Sequence, residues 1–218
     1  MFLGGMEAFG ARGTTRHAYV VDDDPDVRRA MFLLLSATGA MHVRTFPSAD
    51  LFLERLPELD PGCVLVDLQM PGVSGAEVVD RLRAAPEPWA VVVLTGAADV
   101  PTAVRLVKAG AVDVLEKPAD NSTIRAAVAR GFDALGAEGE RRRRVREAEG
   151  RMGALSPRER DVLAGLIDGQ PNKVIAHTLG LSPRTVEIHR ANLMAKLGAR
   201  SLSDAFRLAM TAGLLQAA

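Results

Sequence analysis

Four short apolar runs each end in a side chain capable of phosphate or metal chemistry. Asp22 and Asp23 follow the first run in VVDDDPD, and Asp67 closes the second in VLVDLQMPG. Thr95 ends VVVLT, and Lys117 follows the last run in VLEKP. Taken singly, an aspartate in such a place most often caps a helix or sits in a solvated turn. Together the set has a chemistry of its own. Two adjacent carboxylates and a third make an oxygen-rich pocket of the kind that Mg²⁺ or Mn²⁺ accepts while keeping waters. A lysine and a threonine beside it are donors suited to phosphate oxygens.

These residues can cooperate only if the fold gathers them. From Ala18 to Leu135, β-rich runs over Ala18–Asp22, Met41–Phe46, Cys63–Asp67, Ala90–Thr95 and Val112–Leu115 alternate with helix-period segments. The helical segments are Pro25–Thr38, Ser48–Leu56, Gly75–Arg83, Pro101–Ala109 and Thr123–Leu135. Strictly alternating strands and helices call for parallel strands with right-handed crossovers, an α/β, doubly wound sheet with helices on both faces. Ligands of such sheets bind beyond the carboxyl ends of the strands. All four chemical positions lie at those ends.

In this stretch, about Arg16 to Leu135, the sequence resembles the receiver domain of bacterial two-component response regulators, whose fold is flavodoxin-like with five strands. The resemblance implies that Asp67 accepts a phosphoryl group. It further implies that Asp22, Asp23, Asp67 and the Gln69 carbonyl hold the cation, that Thr95 is the switch hydroxyl, and that Lys117, before a cis Lys117–Pro118 bond, contacts the phosphoryl group. The chain departs from the pattern at Val114, where many receivers carry an aromatic residue three positions before the lysine. A valine cannot turn a ring into the space that a moving threonine vacates, so switching is expected to rest on backbone shifts around Thr95–Val100 and on the fourth-helix/fifth-strand surface, about Pro101–Leu115, whose rearrangement the resemblance links to dimerisation.

Other readings of the aspartates fit less well. Asp22, Asp24 and Asp26 imitate the first ligands of a calcium-binding EF-hand loop, but Val27 replaces the glycine and Leu33 the closing glutamate. A haloacid-dehalogenase-type phosphatase motif fails at Asp26. Asp24 and Asp26, flanking Pro25, suit the first turn of the following helix, where anions complement the dipole.

The formal net charge of zero conceals a division. Residues 1–136 carry 13 Lys and Arg against 18 Asp and Glu, whereas residues 137–218 carry 14 against 9. An acidic first part followed by a basic second part indicates two modules, the latter suited to a polyanion. The single cysteine, Cys63, excludes an internal disulfide and a cysteine-based zinc site and reads as a buried structural thiol. No apolar run reaches the roughly 18 residues of a membrane span, and no secretory signal is visible, so a cytoplasmic bacterial location is expected.

The organisation expected is an N-terminal extension over residues 1–16, the receiver over 17–136, a charged linker over 137–154, partly helical, and a smaller all-α domain over 155–218. In that last domain Ser156–Pro157 and Ser182–Pro183 are start signals, and Gly169, Gly180 and Gly198 are stops. Two helices joined around Gly180–Leu181 fit a helix-turn-helix. The stretch from LSPRERDVL to HRANLMAKLG resembles the LuxR/NarL-type DNA-binding domain.

On the second of those helices Val186, Leu193 and Leu197 should face the core, leaving Arg184, Glu187, Ile188 and Ala191 for a major groove. There Glu187 could accept from cytosine N4, and Ile188 or Ala191 could pack on thymine methyls. Lys173, Thr185, His189, Arg190, Asn192 and Lys196 are placed as phosphate or edge contacts, with half-buried packing as the alternative role of His189. A last helix, Ser201–Ala212, resembles the family's dimerisation helix or simply closes the core.

The two resemblances together imply a response regulator of the FixJ/NarL type, nearest the FixJ subgroup. Its implied partners are a sensor histidine kinase, promoter double-stranded DNA, RNA polymerase and, once phosphorylated, a second copy of itself. It would be no enzyme beyond its own phosphoryl acceptance and dephosphorylation. The alternative is a phosphate sink or protein-interaction receiver whose basic tail binds DNA weakly.

Overall fold

The computed structural model describes residues 15–37, 39, 41–96 and 99–214. The expected extension therefore lies outside the described residues as far as residue 14, and Arg16 belongs instead to the first strand. The strands are β1 (Arg16–Val21), β2 (Met41–Phe46), β3 (Cys63–Asp67), β4 (Ala90–Thr95) and β5 (Asp113–Glu116). They pair in parallel in the order β2-β1-β3-β4-β5. The helices between them are α1 (Pro25–Ser36), α2 (Ala49–Arg55), α3 (Gly75–Arg83) and α4 (Val100–Ala109), with α5 (Asn121–Gly153) after β5. Thr38, the expected end of α1, lies outside the described residues.

The alternation of side chains along each strand builds two cores from one sheet. Ala18, Val20, Cys63, Leu65, Ala90, Val92 and Leu94 face one side, where Leu34 and Leu35 of α1 and Ile124, Ala127 and Val128 of α5 cover them. Tyr19, Val21, Val64, Val66, Val91 and Val93 face the other, against Phe52 of α2, Val78, Val79 and Leu82 of α3 and Leu106 of α4. This two-sided burial explains why the central strands read as unbroken apolar runs. Close approach of α5 to the sheet requires glycine at 131, because a Cβ there would lie 2.7 Å from Cys63 Sγ.

Strand ends shift slightly from the sequence reading because the ladder, and not hydropathy, ends a strand. β1 starts at Arg16, which is in register with Met41, and Asp22 falls just past the ladder. β5 is displaced by one residue, opening at Asp113 opposite Val92.

The larger difference lies in α5. The expectation is a helix over Thr123–Leu135 followed by a charged, partly helical linker; the helix runs on from Asn121 to Gly153. Each interior glycine costs a helix about 1 kcal/mol relative to alanine, and Gly136, Gly139 and Gly150 are all inside it. Opposing this, Glu140 pairs with Arg143 and Arg144 at 2.8 and 3.2 Å, and Arg143 also reaches Glu147 at 3.1 Å. Such exposed pairs at i, i+3 and i, i+4 favour the helix weakly, each less than a glycine disfavours it. Tertiary burial acts at the far end, where Met152 joins the core of the C-terminal unit.

Contacts divide the chain into two compact units, up to Glu138 and from Gly139 onward. The second holds α6 (Pro157–Ile167), α7 (Asn172–Leu179), α8 (Pro183–Leu197) and α9 (Leu202–Thr211) around Val162, Leu166, Ile175, Val186, Leu193, Leu197, Ala205 and Ala209. Ser156 and Glu159 form a capping box at the start of α6, and Ser182 caps α8 ahead of Pro183. The turn between α7 and α8 passes through Gly180 at φ +66°, a left-handed conformation that closes α7 through bonds to the Ala176 and His177 carbonyls.

Candidate functional site

The order β2-β1-β3 creates a switch point between β1 and β3, and the crevice beyond their carboxyl ends is where a ligand of this sheet belongs. Asp22 and Asp67 stand there, buried, each one step from a strand's last apolar residue. Carboxylate oxygens of Asp22, Asp23 and Asp67 all lie within 4.8 Å of one another. An all-oxygen donor set with one exposed member suits a hard divalent cation that keeps waters, so the residues present fit a metal ion of that kind.

Lys117 follows β5 and reaches across, with Nζ 2.7 Å from Asp22 Oδ2 and 3.0 Å from Asp67 Oδ2. Burial works against its charge, but the hydrogen bonds it donates to Asp22 and Asp67, with their negative charge, outweigh that and hold the ammonium above its ordinary range. Lys117 therefore stays charged at neutral pH, and the stability it lends is lost only as pH rises through its raised pKa. The Lys117–Pro118 peptide is cis.

Backbone bonds fix the rest. Leu68 N–H donates to the Leu94 carbonyl at 2.7 Å, and Lys117 N–H to the Thr95 carbonyl at 2.7 Å, so the loops after β3 and β5 are tied to β4. Gln69 N–H donates to Asp67 Oδ1 at 3.3 Å, so the Gln69 peptide stands beside the pocket. Thr95 is almost fully buried at the end of β4. Asp24 caps α1, accepting from Asp26 and Val27, the helix-starting role expected for the outer acids. Val114 is half-buried against the core on the α2–α4 side of the sheet, and the loop expected to move contains residues 97 and 98, outside the described residues.

Two details go beyond the sequence: a contact made by Arg28, and an apolar stripe on the fourth-helix surface already expected to rearrange. Arg28, one turn into α1, donates from Nη1 to the Asp22 carbonyl at 2.7 Å. Nothing in the spacing of Arg28, which sits beside Arg29 near the start of a helix, signals this. On α4, Val100, Val104 and Val107 are 74%, 47% and 54% exposed while Leu106 faces the core. Their i, i+4, i+7 spacing marks an apolar stripe on the wrong side for a core.

In the C-terminal unit α8 divides as expected. Val186, Leu193 and Leu197 are buried, whereas Arg184, Glu187, Ile188, Arg190, Ala191 and Asn192 are exposed. Lys173 and Arg190 line one surface depression of about 470 Å³ with Gln170 and Asn172. Three expected contacts have other engagements. Thr185 shares a 2.8 Å hydroxyl bond with Ser182 in the cap of α8, and His189 is half-buried. Lys196 Nζ lies 2.7 Å from Glu159 Oε2, so its charge is committed within the fold.

Glu159 is itself buried and accepts the Ser156 N–H at 2.7 Å. The Lys196 hydrogen bond first, then the Ser156 N–H, lower its pKa to about 2. A depressed carboxylate stabilises the fold above its unfolded pKa and loses that contribution as pH falls through the folded value. The wild-type C-terminal unit is thus expected to lose stability between about pH 4.5 and 2 through this group. Glu159→Gln is expected to flatten that part of the profile and to be less stable at pH 7. Helix content followed by circular dichroism against pH checks both; parallel acid profiles would contradict the assignment.

Comparison with known proteins decides the class. Residues 18–129 match the response regulator receiver domain, and residues 153–209 match the luxR family of bacterial regulatory proteins. The transcriptional regulatory protein FixJ of Bradyrhizobium diazoefficiens is 42% identical over 202 residues, covering 93% of this chain and 98% of that protein. The chain belongs to the FixJ-type two-component response regulators. Among solved structures, the response regulator StyR superposes with a TM-score of 0.75 at 36% identity, covering 90% of this chain and 99% of that one. Full-length FixJ from B. japonicum gives 0.56 at 42% identity, covering 93% and 100%. This response regulator therefore acts as a transcription factor, and its two parts imply a histidine kinase upstream and promoter DNA downstream. Among the described residues no helix is long and apolar enough to cross a membrane.

Proposed function

We propose that this response regulator takes a phosphoryl group from a sensor histidine kinase onto Asp67 and in consequence dimerises, binds paired promoter half-sites and activates transcription by RNA polymerase in the bacterial cytoplasm. The observation that carries the reading is the convergence of Asp22, Asp23, Asp67 and Lys117 beyond one edge of the sheet.

A carboxylate is a weak nucleophile, so it must be ionised, held in line and partly desolvated. Asp67 is buried, with Lys117 3.0 Å from one oxygen and the Gln69 N–H 3.3 Å from the other, contacts that support this role. Asp67 attacks phosphorus, the bond from phosphorus to the donor's nitrogen or oxygen breaks, and an acyl phosphate remains. Mg²⁺, held by Asp22, Asp23, Asp67 and the Gln69 carbonyl, would neutralise charge on the transferring oxygens. Lys117 follows those oxygens. Thr95 then supplies a hydroxyl to the new dianion, drawing the start of α4 with it. Because Val114 has no ring to turn inward, the change is carried by the backbone between Thr95 and α4.

Dimerisation uses the α4–β5 surface, where Val100, Val104 and Val107 stand exposed. Val104→Glu places a charge in the centre of the stripe and is expected to weaken dimerisation at least about tenfold while leaving Asp67 labelling intact. Light scattering of wild type and variant after acetyl phosphate treatment tests this. A wild-type chain that stays monomeric when phosphorylated, or a variant that dimerises as well as wild type, would overturn the assignment of that face.

A further inference from the structure

Asp22 has no rotational freedom left. Its N–H donates to the Phe46 carbonyl at 3.2 Å, Oδ1 accepts the Asp24 N–H at 2.9 Å, and Oδ2 accepts Lys117 Nζ at 2.7 Å. Its carbonyl accepts Arg28 Nη1 at 2.7 Å. Asp23 is the opposite case. Its side chain is exposed, yet its carboxylate is one of the three gathered within 4.8 Å.

The peptide joining the two residues is planar, so the direction of the Asp22 carbonyl also sets the direction of the Asp23 N–H and where the Asp23 Cα lies. A guanidinium holding that carbonyl therefore fixes the platform from which Asp23 projects. Arg28 is well placed to do so. Its own N–H donates to the Asp24 carbonyl at 3.0 Å within the first turn of α1, and its partly buried side chain folds back over the loop. A charge-assisted bond from a rigid planar donor is stronger and more directional than one from a neutral group.

We infer that Arg28 is a positioning residue for the metal pocket: by holding the Asp22–Asp23 peptide it aims the Asp23 carboxylate at the cation. The inference rests on the reading of the acidic pocket as a divalent cation site. It runs against simple electrostatics, which gives it a test. A guanidinium near a cation site repels the cation, so if charge alone mattered, removing Arg28 would tighten Mg²⁺ binding. If Arg28 sets the peptide, removing it weakens binding, in the way that loss of an outer-shell partner typically costs about 10-fold or more in metal affinity.

The experiment is calorimetric titration of the full chain with MgCl₂ alone, comparing wild type, Arg28→Met, Arg28→Lys and Asp67→Asn. Arg28→Met is expected to bind Mg²⁺ about 10-fold more weakly than wild type, with Arg28→Lys between them because it keeps charge but not the planar fork. In metal-free protein the Asp23 backbone amide signal is expected to shift in Arg28→Met while signals from β3 and β4 stay in place. Equal or tighter Mg²⁺ binding by Arg28→Met would overturn the inference, and so would an unmoved Asp23 amide. If Arg28→Met does not fold, weaker binding by a folded Arg28→Lys supports the inference and unchanged binding overturns it. A wild-type chain whose Mg²⁺ binding is no different from that of Asp67→Asn would instead sink the acidic-pocket reading itself, and the inference with it.

Discussion

Treated with acetyl phosphate and Mg²⁺, the Asp67→Asn chain is expected to acquire no phosphoryl group, to remain monomeric and to bind promoter DNA no better than the untreated protein. The substitution is nearly isosteric and leaves Asp22, Asp23 and Thr95 in place, but an amide oxygen is not a nucleophile for phosphorus, so the loss should be complete and not partial. The fold should survive. Lys117 keeps its 2.7 Å partner Asp22, and replacing one of three crowded carboxylates by a neutral group relieves repulsion. Intact-mass spectrometry of both chains checks the outcome, with thermal unfolding as the control for structure. Equal phosphorylation of Asp67→Asn would move the acceptor elsewhere.

The second large effect concerns α8. Glu187 is exposed on the face opposite Val186, Leu193 and Leu197, with Ile188 beside it, more than half exposed. If this face enters the major groove, Glu187→Ala removes a base contact worth about 1–3 kcal/mol, roughly 5- to 150-fold in affinity for the cognate site, and binding to unrelated DNA changes little. Lys173→Ala and Arg190→Ala should behave differently. If Lys173 and Arg190 meet phosphates, as proposed, each substitution weakens cognate and unrelated DNA alike and lowers the slope of log affinity against log salt by about one. Lys196→Ala should scarcely change that slope, because its ammonium is bound to Glu159, and should show mainly as lost stability. Fluorescence anisotropy over a salt series separates these behaviours. A Glu187→Ala chain that weakens cognate and unrelated DNA equally would remove Glu187 from base readout.

Most of the receiver was legible in the sequence because its constraints are local and repeated. Buried parallel strands must be apolar at successive positions, crossovers must be helical, and ligand groups must follow strands; VVDDD, VLVD, VVVLT and VLEKP meet the first and third conditions, and the helix-period segments between the strands meet the second. The start signals of the C-terminal helices were equally local, since Ser156–Pro157 and Ser182–Pro183 need only their own side chains and the next turn.

What the sequence hid depends on distance. The continuation of α5 through its glycines draws on Met152, whose burial partners lie in helices not yet formed when the segment is read alone. Nor does the sequence show that Lys196, also expected as a DNA contact, pairs with Glu159, 37 positions earlier. Arg28 resembles any helix-surface arginine until its guanidinium is seen on the Asp22 carbonyl. The stripe on α4 was present as spacing, but only burial shows that Leu106, and not Val104, faces the sheet.

The central claim is that phosphorylation at Asp67 governs DNA binding, and it is tested most directly by the affinity of the full chain for its promoter with and without acetyl phosphate and Mg²⁺. The expected result is a gain in sequence-dependent affinity together with dimer formation in wild type, and no gain in Asp67→Asn. Promoter binding equally tight before and after phosphorylation, or phosphorylation with no sequence-dependent binding at all, would contradict it.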